Sequence, residues 1–191
     1  MKKILVADDE MSIRLLYSEE LKEEGYEVYQ AANGREALEV VDKIPLDLVI
    51  LDIKMPEMDG LQAARQIMLK HPTPIVLLTA YSQRELVEQA KAASVFAYLV
   101  KPVKEEMLVP TLELAVIRFK QWKALRKESQ DLQASLVARD LVEKAKRVLI
   151  EREGLSEKQA FLKIRNQSRA RRATMEMTAR AIHRQKAPIR K

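Results

Sequence analysis

Hydrophobic positions follow two regimes along this chain. In the first 120 residues they gather into short runs: KILVA at 3–7, EVYQA at 27–31, DLVIL at 47–51, PIVLLTA at 74–80 and VFAYLV at 95–100. β-Branched and aromatic residues are enriched in them and turn-forming residues separate them, so each run predicts a strand. Between the runs, apolar residues recur at helical spacing over 11–24, 35–44, 60–70 and 83–93, and again from 104 onward. Strands that alternate with helices predict an α/β fold, a parallel sheet covered by helices on both faces. The near-continuous apolar character of the third and fourth runs places them at its doubly covered centre. Gly25 is positioned to end the first helix, Asn33-Gly34 to turn into the second and Asp59-Gly60 to open the third.

The second regime has no turn residues. From 104 to 153 there is no glycine, and the one proline is Pro110. Leu108, Leu112, Ala115, Phe119 and Trp122, then Leu125, Leu132 and Leu136, recur mostly at alternating steps of three and four, which predicts a long helix with a coiled-coil seam. Two successive steps of three, Phe119 to Trp122 to Leu125, would overwind such a coil locally. Pro110 either kinks this helix or sits in its first turn if the helix begins late. Gly154 breaks it, and SEKQ at 156–159 supplies an N-cap Ser156 with Gln159 at the capping-box position. A helix over 157–170 is expected to bury Ala160, Phe161 and Ile164, and one over roughly 174–185 to bury Met177, Ala181 and Ile182. The tail QKAPIRK reads as frayed and solvated.

Composition adds boundaries. With 191 residues, 47% hydrophobic and 32% charged, the chain is long enough for one large or two small globular domains. No apolar stretch approaches the roughly 18 residues of a membrane span. The start, MKKILVADDE, meets carboxylates too early to be a signal peptide. There is no cysteine, which excludes disulfides and thiolate metal sites and leaves a cytoplasmic location as the expectation. The net charge of +6 conceals a division: residues 1–116 carry −7 and residues 117–191 carry +13. A chain divided this way is expected to have two parts with different partners, the basic part facing nucleic acid, an anionic membrane or an acidic protein.

Candidate chemistry lies at the ends of the predicted strands. Asp8 and Asp9 follow the first, Asp52 the third, Thr79 the fourth and Lys101 the fifth. Open parallel sheets place ligand sites along this edge, so Asp52 is expected at the rim of the core rather than inside it. A single aspartate after a strand is usually a cap or turn residue, but four matched positions exceed that reading. Three carboxylates in one cleft repel unless a cation shares them, and an all-oxygen ligand set selects a hard ion such as Mg²⁺. A carboxylate is also a competent nucleophile for phosphoryl transfer, with Lys101 neutralising phosphoryl oxygens and the Thr79 hydroxyl donating to one. His71, beside Pro72, reads as a helix-end residue. His183 has no metal-binding company, and Trp122 and the methionines read as seam and core.

ILVADDE, LDIKMPEMDG, LLTA and YLVKP resemble the receiver domain of two-component response regulators over residues 1–120. The resemblance implies a flavodoxin-like five-stranded sheet of order 2-1-3-4-5, Asp52 as phosphoacceptor, and Mg²⁺ held by Asp8, Asp9, Asp52 and the backbone carbonyl of Lys54. It also implies Thr79 and Tyr98 as a switch pair whose ring turns inward, a cis Lys101-Pro102 bond, and a sensor histidine kinase as phosphodonor. Ala93-Ser94-Val95 stands where the family often has Ala-Gly-Ala before the last strand.

DLVEKAKRVLIEREGLSEKQAFLKIRNQSR resembles the ANTAR domain, a small three-helix RNA-binding module of transcription antiterminators, over about 125–185. Arg147 replaces a glycine usual there. The layout expected is a receiver at 1–120, a helical coiled-coil linker at 105–137 continuous with its last helix, an ANTAR-like domain at 125–185 and a tail at 186–191. Lys144, Lys146, Arg147, Lys163, Arg165, Arg169, Arg171 and Arg172 form two basic stripes that would release counterions from RNA phosphates. No Phe, Tyr or Trp occurs in the last 29 residues, so a hairpin read by Arg and Lys fits better than a broad stacking surface. The expected function is a phosphorylation-controlled antiterminator, a homodimer when phosphorylated. Alternatives are a DNA-binding output or an adaptor that binds an acidic protein. No catalytic constellation marks 117–191, so no enzymatic output is expected beyond autodephosphorylation of Asp52.

Overall fold

The computed structural model describes residues 1–80 and 95–184. The helix expected over 83–93, Ser94 and the tail 185–191 lie outside the described residues. The chain divides into two compact units, Met1–Lys123 and Ala124–Lys191.

The first unit is built on strands β1 Lys3–Ala7, β2 Glu27–Ala31, β3 Leu48–Asp52, β4 Ile75–Thr79 and β5 Ala97–Val100. All pairings are parallel, in the order β2-β1-β3-β4-β5. β3 and β4 are buried at every position, as their unbroken apolar runs require. Helices α1 Met11–Glu23, α2 Gly34–Lys43 and α3 Gly60–Lys70 contribute Leu21, Val41 and Ile67 to the same core. Asn33 and Asp59 cap α2 and α3 through their side chains, accepting from Glu36 N–H at 2.8 Å and Gln62 N–H at 2.7 Å.

Helix α4 runs from Glu105 to Glu153, 49 residues without interruption. Leu108, Leu112, Ala115 and Phe119 are buried in the sheet's own core. Phe96, Phe119 and Trp122 pack their rings with centroids 5.2–5.8 Å apart. This corrects the expected seam: its first half is how the helix docks on its own sheet. Leu125, Leu132 and Leu136 are exposed. Pro110 lies inside α4, past its first turn, on the solvent side, where a missing N–H is tolerated.

The second unit joins the C-terminal part of α4 to α5 Glu157–Ala170 and α6 Met175–Arg184 around Ala145, Val148, Leu149, Ala160, Ile164, Ala179 and Ile182. Ser156 and Gln159 close a reciprocal capping box that starts α5. Three expected burials are corrected. Phe161 is exposed, as are Met177 and Ala181, while Thr178 and Ala179 take the inward positions beside Ile182. Small side chains, Ala160 and Ser168 on α5 and Thr178 and Ala179 on α6, take four of the six buried positions on these helices, with Ile164 and Ile182 at the other two. Among the described residues no helix is long and apolar enough to cross a membrane.

Candidate functional site

The sheet delivers five of the expected residues, Asp9, Asp52, Lys54, Thr79 and Lys101, to one cleft. Asp9, Asp52, Ile53, Lys54, Thr79, Ala80 and Lys101 line a cavity of about 220 Å³ at the C-terminal ends of β1, β3, β4 and β5. Asp8, Asp9 and Asp52 each bring a carboxylate oxygen to within 4.8 Å of the others. Asp52 is the last residue of β3 and only 6% exposed, so it sits inside the core's edge rather than on an open rim. Asp8 is fully buried and Asp9 exposed.

What makes these buried charges tolerable is Lys101. Its Nζ lies 2.5 Å from Asp8 Oδ2 and 2.7 Å from Asp52 Oδ1, bridging the two. The cis Lys101–Pro102 peptide follows directly, and Lys101 N–H donates to the Thr79 carbonyl at 2.7 Å. Glu10 N–H donates to Asp8 Oδ1 at 3.0 Å. Burial pushes the Asp52 carboxyl above its ordinary range, and the bonds from Lys101 and from the Lys54 backbone N–H oppose this without cancelling it. Burial alone would lower Lys101, but Asp52 and Asp8 together raise it. One ammonium therefore serves two carboxylates, with Asp9 beside them, and the site retains an excess of negative charge. That excess, in an all-oxygen donor set, fits a hard divalent cation.

Two supporting roles escaped the sequence reading. Arg14, one turn into α1, donates from Nη1 to the carbonyls of Asp8 at 2.7 Å and Asp9 at 3.1 Å, pinning the loop that presents both carboxylates. Its signal was an arginine shortly after an acidic pair. Gly60 lets the β3–α3 loop fold back on Asp52: a Cβ there would stand 2.0 Å from the Asp52 carbonyl oxygen. Thr79 is buried beside the cleft, whereas the Tyr98 ring is exposed. His71 is the C-cap residue of α3, with Nε2 3.1 Å from Asp42.

The cations of the second unit fall into two groups. Lys146, expected on the binding surface, is 8% exposed, and its ammonium is taken by Glu143 at 2.9 Å and Glu157 at 2.6 Å. Glu157 and then Glu143 raise its pKa, and Lys146 in turn lowers that of Glu157. It ties α4 to the first turn of α5 and is removed from the candidate contact set. Lys144 pairs with Asp140 at 2.6 Å, one turn back, and Lys163 pairs with Glu153. Arg147, Arg169, Arg171 and Arg172 are exposed and Arg165 is half-buried. Among the described residues none of these five has an ion-pair partner.

Comparison with known proteins places both units. The model of the response regulator receiver domain matches residues 4–113, and that of the ANTAR domain matches residues 123–182. The chain is 45% identical over 182 residues to the transcriptional regulatory protein PdtaR of Mycobacterium tuberculosis, covering 95% of this chain and 89% of that protein. The response regulator TrrA of Thermotoga maritima, solved in complex with Mg²⁺-BeF, superposes with a TM-score of 0.56 at 44% identity over 60% of this chain and 99% of TrrA. The chemotaxis protein CheY4 of Vibrio cholerae superposes with a TM-score of 0.57 at 39% identity, over 59% of this chain and 97% of CheY4.

Proposed function

The chain belongs to the response regulators that join a receiver domain to an ANTAR output domain, and on that premise we propose that it accepts a phosphoryl group on Asp52 and then binds RNA hairpins to cause transcription antitermination. The arrangement of Lys101 between Asp8 and Asp52 supports the first half of this reading most directly. The donors are a sensor kinase's phosphohistidine or a small acyl phosphate. An Asp52 carboxylate oxygen attacks phosphorus as the bond to the donor breaks, and the departing group takes the electron pair. Asp8, Asp9, Asp52 and the Lys54 carbonyl are the residues that would hold Mg²⁺, which supplies charge neutralisation on the phosphoryl oxygens. Lys101 pairs with a phosphoryl oxygen once Asp52 carries the acyl phosphate, and Thr79 donates its hydroxyl to another. Movement of Thr79 and inward rotation of the exposed Tyr98 ring is the switch.

The output follows from charge. We assign residues 1–120 to the receiver, 105–137 to the linker helix and 125–185 to the RNA-binding module. Its unpaired arginines favour a polyanion, and the relative named as a transcriptional regulatory protein favours action on transcription. Leu125, Leu132 and Leu136, exposed in a single copy, form the seam of a homodimer in the phosphorylated state. On this reading the protein works in the cytoplasm, with its kinase and its transcripts. The test is competition binding at one salt concentration, hairpin RNA against duplex DNA, with and without acetyl phosphate. Tighter hairpin binding after phosphorylation, with read-through of a terminator in vitro, is the expected result. Preference for duplex DNA overturns it. Light scattering of the beryllofluoride-bound chain tests the dimer, and an unchanged monomer mass removes it.

A further inference from the structure

We propose that Phe161 is a stacking platform for one unpaired nucleobase, set in a cationic stripe on one flank of α5; this rests on the RNA reading above and specifies where that RNA is read. Its sequence context predicts a core residue, yet the ring is 40% exposed while Ala160 and Ile164 beside it are sealed. At 3.6 residues per turn, Lys158, Phe161, Arg165 and Arg169 fall within an arc of roughly 80° on the helix surface. Lys158 and Arg169 are exposed, and among the described residues no carboxylate pairs with Lys158, Arg165 or Arg169. The Arg165 Nε is buried with no hydrogen-bond partner, so part of this guanidinium is already withdrawn from water. A partly desolvated cation attracts an anion more strongly than a hydrated one.

Just past the stripe, Arg172 holds φ at +49°, in the left-handed region. Glycine takes that conformation freely, whereas an L side chain is strained there. The exposed Arg172 side chain adds a further cation, unpaired among the described residues, at the end of α5. An aromatic face bordered by unpaired cations matches a ligand that has an aromatic face on an anionic backbone, which describes a nucleotide. An acidic peptide would satisfy the arginines but leave the ring uncovered. Bases inside a duplex are already stacked, so the ring selects an unpaired base in a loop or bulge.

The experiment uses the full chain with two probes, an RNA hairpin carrying 2-aminopurine in its loop and a blunt RNA duplex of the same length. Phe161→Leu keeps an apolar side chain but removes the ring, and Phe161→Tyr keeps the ring. Phe161→Leu is expected to weaken hairpin binding by about 5- to 150-fold, the range of one base–aromatic stack. Its duplex affinity and salt dependence stay as in the wild type, the 2-aminopurine signal change is lost, and Phe161→Tyr behaves like the wild type. Equal hairpin affinity in Phe161→Leu overturns the site and leaves the RNA reading standing. A parallel loss on hairpin and duplex, or a Phe161→Tyr as weak as Phe161→Leu, also overturns the site. A wild type that binds neither probe overturns both the RNA reading and the site. Weakened binding of polyglutamate by Phe161→Leu with unchanged hairpin affinity assigns the surface to an acidic protein and overturns the proposal.

Discussion

The two units treat charge in opposite ways. In the first, Asp8 and Asp52 are withdrawn from water and share one ammonium, with Asp9 adding a third carboxylate. In the second, Arg147, Arg169, Arg171 and Arg172 stand in solvent without a carboxylate partner among the described residues. On the reading proposed above, concentrated and buried charge becomes reactivity: the excess negative charge would be met by a small cation, and a carboxylate held there can serve as a nucleophile. Dispersed and exposed charge becomes affinity, because each site contributes little alone and the sum grows with an extended polyanion.

The largest expected effect removes the reactive group itself. Asp52→Asn keeps the shape of the side chain but cannot form an acyl phosphate. Incubation with acetyl phosphate and Mg²⁺, followed by intact-mass measurement, should show no phosphoryl adduct, whereas the wild type gains one. An adduct of equal yield in the variant places the chemistry elsewhere.

Next is the shared cation. Lys101→Met leaves Asp8 and Asp52 facing each other out of water, and stripping one partner from a buried pair costs about 3–5 kcal/mol. The lysine is partly solvent-accessible, so the lower end of that range is expected. Thermal melts in EDTA should show the full deficit, and millimolar Mg²⁺ should reduce it by taking over the lysine's place. A deficit indifferent to Mg²⁺ breaks the picture of interchangeable cations. The titration of Asp52 sharpens it. Burial holds this carboxyl above its ordinary value of 3.8, so the folded state binds the proton more tightly than the unfolded chain. The contribution to stability is therefore greatest below 3.8 and is lost as pH rises through the folded-state value. Carbon NMR of Asp52 should place its midpoint above 3.8 in EDTA and lower it when Mg²⁺ is added.

A smaller effect separates the two kinds of cation within the second unit. Arg147→Ala should weaken RNA binding and reduce the slope of log affinity against log salt by about 1, as expected for one lost phosphate contact. Lys146→Ala should leave that slope alone and instead lower the melting temperature, because its ammonium is spent on Glu143 and Glu157. A salt slope that drops equally in both variants would mean that burial does not sort these cations.

The same contrast explains what could be read before the fold was known. Asp8, Asp52, Thr79 and Lys101 were legible because strand ends are fixed by apolar runs, and residues at matched ends must converge. The exact depth of Asp52 was not, since one position decides between the last residue of a strand and the first of a loop. On α4, Leu108 to Phe119 shows the spacing of any buried helical face, and spacing does not reveal whether a sheet or a second helix covers it. On α6, Met177 and Ala181 are as apolar as Ala179 and Ile182, so hydropathy alone does not mark which of them face inward. Lys146 read as surface because a formal charge hides a long apolar stem, which burial can use.

The finest test compares two helix ends of one design. After α1, Tyr26 N–H donates to the Leu21 carbonyl at 3.0 Å and Gly25 N–H to Lys22 at 2.9 Å, with Gly25 at φ +82°. After α5, Ala173 N–H donates to Ser168 at 2.9 Å and Arg172 N–H to Arg169 at 3.2 Å, with Arg172 at φ +49°. Both are Schellman terminations, which ask for a left-handed residue between helix and loop. The first unit meets that demand with glycine and the second with arginine. An L side chain there costs about 1–2 kcal/mol, partly offset by the greater chain entropy that glycine loses on folding. Arg172→Gly should therefore raise the stability of the second unit by about 0.5–1 kcal/mol, and Gly25→Arg should lower that of the first by a similar amount. If Arg172 serves the cationic surface, its glycine variant will be both more stable and weaker on hairpin RNA. A variant that is more stable and binds unchanged would show that the strained arginine is a local accident, and the cationic surface would end at Arg171.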